Sequence, residues 1–203
     1  MSPPRDRLLV IACGALAKEL FDVIRLNSLD WVDVECLPAR LHNTPDLIPA
    51  AVAQRLDSAL GRYLEVFVGY ADCGTGGMLD RVLEARRVER LPGAHCYEFF
   101  ATSDVFAAIH DKEPGTFYLT DFLVKHFDRL VWKGLGLDRW PQLRDDYFGN
   151  YESLVYLSQI ESPQLVERAR AAAARLGLDF EHRPVGYGDL ATTLVEVASR
   201  VPA

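Results

Sequence analysis

The chain has 203 residues, 49% of them hydrophobic and 25% charged, and a formal net charge of -7. That length and balance predict one large domain or two small lobes with a sizeable core, and they exclude a disordered, collagen-like or disulfide-stapled chain. The negative charge argues against nucleic acid and anionic membranes as partners, and no apolar run is long enough to cross a bilayer.

The polar stretch Met1 to Arg7 passes straight into LLVIACGAL. It shows no secretory cleavage pattern, so a cytoplasmic location is expected. Four cysteines are too few for a stapled secreted fold, which leaves free thiols for metal binding, for catalysis or as inert core residues.

Arg7 to Cys13 reads as an apolar strand, and Leu16, Leu20, Phe21, Ile24 and Leu26 then repeat at helical spacing. Val32 to Leu37 alternates as a strand. The loop LPARLHNTP follows, before Pro45 and Asp46 open a helix expected to run to about Arg62. Leu64 to Tyr70 is a strand, ADCGTGG a flexible turn, Met78 to Arg87 a helix and Val88 to Leu91 a short strand, followed by the turn PGAHC. Ser103 is placed as the cap of a helix over Val105 to His110, with a strand at Thr116 to Leu119 and a helix at Asp121 to Leu130.

From Trp132 to Tyr151 the chain is aromatic, charged and punctuated by glycine, an irregular excursion suited to a lid or a dimer surface. Tyr151 to Gln159 is a strand, Ser162 caps a helix from Pro163 to Leu176, Leu178 to Pro184 is the last strand, and GYGDL leads to a terminal helix. The alternation predicts an α/β, Rossmann-like fold: a mostly parallel sheet with helices on both faces, in one domain or in two lobes of about 1–115 and 116–203.

In such a sheet the binding crevice lies beyond the carboxyl ends of the strands. Cys13, Cys36, Cys73 and the pair His95 and Cys96 all fall at such boundaries. Thiolates and imidazoles suit zinc or iron, and three ligands with an open position are the pattern of a catalytic rather than a structural site. With no CxxC pair in the sequence, the fold itself must assemble any such centre. Cys13, Cys73 and Cys96 are the expected thiolates, with His42 or His95 as the fourth ligand. An iron–sulfur cluster is a variant of the same expectation. His110 and His126 lie within helices and are set aside, and Glu98 is either a partner of a ligand or a solvated charge.

Two other readings compete. Gly74, Gly76 and Gly77, with Gly186 and Gly188, would let backbone amides approach a small anion or cofactor, which makes the chain a non-catalytic binding module. Alternatively Cys73, near a helix start, would have a lowered pKa and act as the nucleophile of a metal-free hydrolase or transferase, with His95 as base.

The segments ACGAL, LPARLHNTP, GYADCGTGG, LPGAHCYEFF and EPGTFYLTDF occur in that order between about Arg7 and Asp189. Together they resemble the motifs of DUF1638, a domain family of unknown function. The resemblance implies that the family's Cys and His elements fall on Cys13, His42, Cys73, His95 and Cys96. At the fourth motif the family pattern resembles His-Asp-Cys, whereas here His95 is followed directly by Cys96. The resemblance further implies company with corrinoid-dependent methyl transfer in one-carbon metabolism, so a corrinoid is an expected cofactor and a corrinoid or methyltransferase protein an expected partner.

Overall fold

The computed structural model describes residues 6–59 and 61–202, so most of the polar stretch before Arg7 lies outside the described residues. The chain divides into two compact units, one running up to Phe99 and taking in the stretch from Tyr187 onward, the other Phe100–Gly186. The division therefore falls earlier than residue 115, and the terminal helix belongs with the first unit.

The first unit contains β1 (Leu8–Cys13), α1 (Ala17–Leu26), β2 (Val32–Leu37), α2 (Ile48–Ala59), β3 (Glu65–Gly69), α3 (Met78–Glu84) and β4 (Glu89–Arg90). Its strands form an all-parallel sheet in the order β2-β1-β3-β4. β1 is buried at every residue, as a central strand of a parallel sheet covered on both faces must be. Its uninterrupted apolar run is the sequence form of that burial. β2, at the edge, buries only its two ends.

α4 (Cys96–Ala101) spans the division, and the second unit continues with α5 (Ser103–Lys112), β5 (Thr116–Thr120), α6 (Asp121–Phe127), α7 (Leu143–Phe148), β6 (Ser153–Ser158), α8 (Pro163–Leu176) and β7 (Asp179–Pro184). Its three strands make a second all-parallel sheet, β5-β6-β7. α9 (Gly188–Ala198) then closes the first unit. The fold is thus α/β and Rossmann-like, built on two parallel sheets rather than one.

Helix boundaries follow local chemistry. α8 opens where the Ser162 side chain accepts from the Leu165 N–H and Pro163 takes the first helical position, and it stops at Gly177 in the left-handed region, φ +70°. Those are the start and stop signals of an isolated helix. The stretch from Pro45 begins as a 3-10 turn at Pro45–Leu47, and the α-helix starts only at Ile48. Ser103 is already helical, and the cap position belongs to Thr102, whose side chain makes no capping bond. The excursion after Trp132 holds the single short helix α7.

Gly69 ends β3 opposite Ala12 of β1. A Cβ built there would sit 2.8 Å from Ala12 Cβ and 3.4 Å from Val10 Cγ1. Both neighbours belong to a fully buried strand that cannot recede. Gly69→Val should therefore destabilise the protein by about 1–3 kcal/mol through overpacking, despite the strand preference of valine, and a lowered urea midpoint is the reading. An unchanged midpoint would mean that the two strands are less tightly apposed.

Candidate metal centre

The four cysteines do lie at the carboxyl end of the first sheet. Cys13 is the last residue of β1, Cys36 the second-last of β2, Cys73 follows β3, and Cys96 opens α4 after β4. All four are free thiols; Cys13 is buried, Cys73 and Cys96 are half-buried, and Cys36 is exposed.

Two turns carry Cys73 and Cys96, and hydrogen bonds lock them together. The Asp72 N–H donates to Gly93 O at 3.1 Å and the Cys73 N–H to Ala94 O at 2.8 Å. Arg90 braces the second turn by donating to Leu91 O at 2.7 Å and Gly93 O at 3.3 Å, while its other guanidinium nitrogens grip Asp80. Glu98, left open as a ligand's partner or a solvated charge, accepts from the Ala94 N–H at 2.8 Å. Its role is to shape the turn that presents His95 and Cys96.

Cys73 itself is held at φ +52°, a left-handed conformation that costs a non-glycine residue roughly 1–2 kcal/mol. The surrounding bonds impose it, and such strain concentrates where a side chain must be aimed. Cys73→Gly should relieve roughly that 1–2 kcal/mol and raise the melting temperature. If the thiol is a ligand, the same variant should lose bound metal.

Cys13 Sγ accepts from the Ala15 N–H at 3.3 Å and lies 3.8 Å from His42 Nδ1. His42 Nδ1 also stands 3.1 Å from Ala39 O. A carbonyl can only accept, so that bond places the imidazole proton on Nδ1 and leaves the lone pair on Nε2. This is the tautomer of ligating histidines whose other nitrogen is held by a backbone carbonyl. The ring stacks on Tyr70, with centroids 5.9 Å apart and planes 11° apart. One side of His42 faces solvent, while loss of water on the packed side lowers its pKa and favours the neutral form a metal requires. His95 lies apart in character, its ring tilted against Tyr97 at 5.1 Å. His42 has the Cys13 sulfur beside its Nδ1 edge.

Burial dominates at all three thiols, with neighbouring sulfurs adding to it: Cys36 at Cys13, Cys13 at Cys73, and both Cys73 and Cys13 at Cys96. Burial chiefly pushes Cys13 up to about 11, against the opposing pull of the Ala15 N–H. Burial, then the Cys13 sulfur, pushes Cys73 up to about 12, Arg90 partly opposing. Cys96 is raised well above its ordinary value by burial, then by Cys73 and Cys13. These shifts run opposite to the lowered pKa expected of a nucleophilic Cys73. The cause is structural: the N-cap of α3 is Gly77, not Cys73, and desolvation outweighs the remaining favourable charge.

The glycine turn also differs in its use. The amides of Gly76 and Gly77 donate to the Asp72 carboxylate at 3.1 Å and 2.9 Å, and the Thr75 hydroxyl joins them at 2.7 Å. The chain's own carboxylate fills the cradle expected to hold an anion, and Gly74 at φ +83° serves the path of the turn. Gly188 opens α9, and Gly186 belongs to the second unit.

Three residues that sequence reasoning did not single out border the cysteines. Tyr70 is fully buried; its hydroxyl makes no hydrogen bond of ordinary geometry, yet it lies near enough to the Cys13 sulfur for each to alter the ionisation of the other. Glu19 is only 3% exposed, and its carboxylate raises the Cys96 pKa. Its position was legible, since Leu16, Glu19, Leu20 and Val23 share one helical face and all are buried. Arg90 is the third. Among the described residues no three His, Cys, Asp or Glu side chains stand close enough together to hold a metal ion as they are oriented. Ligation would require these side chains to rearrange.

No curated protein and no solved structure matches the chain. A family model described as a protein of unknown function, DUF1638, matches residues 36–194. That span includes His42, Cys73, His95 and Cys96 and begins after Cys13. Because the match takes in well over half of the chain, this protein belongs to the DUF1638 family.

Proposed function

We propose that the first unit binds a metal ion, zinc or iron, or a metallocofactor, on Cys13, Cys73, Cys96 and His42. The observation that carries this reading is that three thiols come from three different strand ends, with Cys13 raising both Cys73 and Cys96, while Ala39 O holds His42, next to Cys13, in a ligating tautomer. Buried thiols near one another are unfavourable as thiolates, and a divalent cation reverses that balance. When bound, the metal supplies a Lewis-acid position for a small molecule.

The protein's own groups then have defined tasks. Ala39 O fixes the His42 ring, the Ala15 amide steadies Cys13, and the Arg90-braced turn aims Cys73 and Cys96. The Tyr70 phenol, kept protonated chiefly by burial, lies near the Cys13 sulfur with an O–H available to donate. The motif resemblance supports corrinoid-linked methyl metabolism as the setting, with a corrinoid or methyltransferase protein as the partner.

The deciding experiment is metal analysis and an absorption spectrum on protein purified anaerobically without added metal, wild type against Cys73→Ser. Near-stoichiometric zinc or iron, lost in the variant, is the expected result. Folded protein that holds no metal and takes up neither zinc nor iron on reconstitution would overturn the reading.

A further inference from the structure

The second unit has a cavity of its own, about 730 Å³, and its chemistry is independent of the cysteines. It opens among Ser158 at the end of β6, His182 and Pro184 of β7, and Ser162 and Pro163 at the start of α8. Carboxyl ends of parallel strands are where an open α/β sheet presents its ligand crevice. The positive end of the fourteen-residue α8 faces the same space.

The Ser158 side chain is buried, and its Oγ stands 2.9 Å from His182 Nε2. In the tautomer that carries its proton on Nδ1, the hydroxyl is the donor and Nε2 the acceptor. The imidazole is itself held. His182 pairs across the strands with Tyr156, and the two rings stack with centroids 5.2 Å apart and planes 19° apart. Tyr156 is pinned in turn, its hydroxyl donating to Asp121 Oδ1 at 2.7 Å. A hydroxyl on a base whose ring is oriented by a third, fixed group is the arrangement that activates a serine nucleophile. Ile160, Val166 and Pro184 make much of the remaining wall apolar.

We propose that this cavity is a second site in which Ser158 is the nucleophile and His182 its base, acting on small esters with an apolar acyl group. Ser158 Oγ adds to the carbonyl carbon and its proton passes to His182 Nε2. The ester C–O bond then breaks and the departing alcohol takes that proton. Water adds to the acyl-serine by the same route, releasing the carboxylic acid and restoring the hydroxyl.

The probe is an alkyl fluorophosphonate on the full-length protein, with intact-mass and peptide mapping. The Ser158 Oγ–P bond forms as the P–F bond breaks, and the proton leaves through His182 to buffer. One adduct per chain on Ser158, none on Ser158→Ala, and labelling on the order of a hundredfold slower in His182→Gln is the expected pattern. Folded wild-type protein without an adduct, an adduct on another residue, or equal rates in His182→Gln would each overturn the proposal. The wild-type peptide map decides the point even if Ser158→Ala fails to fold.

Discussion

Replacing Cys13, Cys73 or Cys96 by serine should each weaken zinc binding by roughly a hundredfold, while Cys36→Ser should leave it unchanged. Structural zinc sites bind with about 10–16 kcal/mol overall, or roughly 3 kcal/mol for each of four ligands, which corresponds to about a hundredfold in affinity. His42→Ala should match the serine variants, because Ala39 O holds its ring in the tautomer that leaves Nε2 for a metal. Competition with a chromophoric chelator gives the constants. If Cys36→Ser is as damaging as the others, or if none of the variants matters, the assignment of ligands fails.

The same titration carries a pH signature. Cys13 and Cys73 are raised to about 11 and about 12 and Cys96 further than an ordinary thiol, so all three hold their protons in the metal-free protein near neutrality. Each must release one to become a ligand. Affinity should therefore rise with pH across the whole range from 6 to 8, by up to about tenfold per pH unit for every proton released. His42, its pKa lowered chiefly by burial, adds less to that slope than an ordinary imidazole would. An affinity that stayed flat between pH 6 and 8 would show that thiols do not ligate.

The strands at the centre of each sheet were legible because burial leaves an apolar run, as in LLVIAC of β1 and the LVYL within β6. α8 was legible to the residue from its serine cap and proline start. The two separate sheets were not legible, because parallel strands in either arrangement carry the same pattern, and only contacts distant in sequence decide which strands pair. The position of the cysteines was readable from the strand-end rule. What the glycines of DCGTGG do was not, because their amides are taken by a carboxylate within the same turn. α4 was hidden for a similar reason: PGAHC reads as a turn, and the helix begins at its last residue. The Ser158 and His182 pair was out of reach because their meeting depends on the register of β6 against β7.

Asp121→Ala should be the most damaging single change in the second unit, lowering its stability by about 2–6 kcal/mol. Asp121 is 1% exposed. One of its oxygens, Oδ1, accepts both the Tyr156 hydroxyl at 2.7 Å and the Gln159 N–H at 3.1 Å, and its own N–H donates to Gln159 Oε1 at 2.8 Å. Truncation leaves a buried hydroxyl and a buried amide without an acceptor, each costing about 1–3 kcal/mol. Asp121→Asn keeps an oxygen with two lone pairs at that position, so it should recover most of the loss. Hydrogen exchange resolved by peptide gives the reading: protection in β5 and β6 should fall in Asp121→Ala and largely return in Asp121→Asn. Burial first, and then the Asp121 side chain, holds the Tyr156 phenol protonated, so equal damage from both variants would mean that the carboxylate as such, rather than the shared acceptor oxygen, sustains this network.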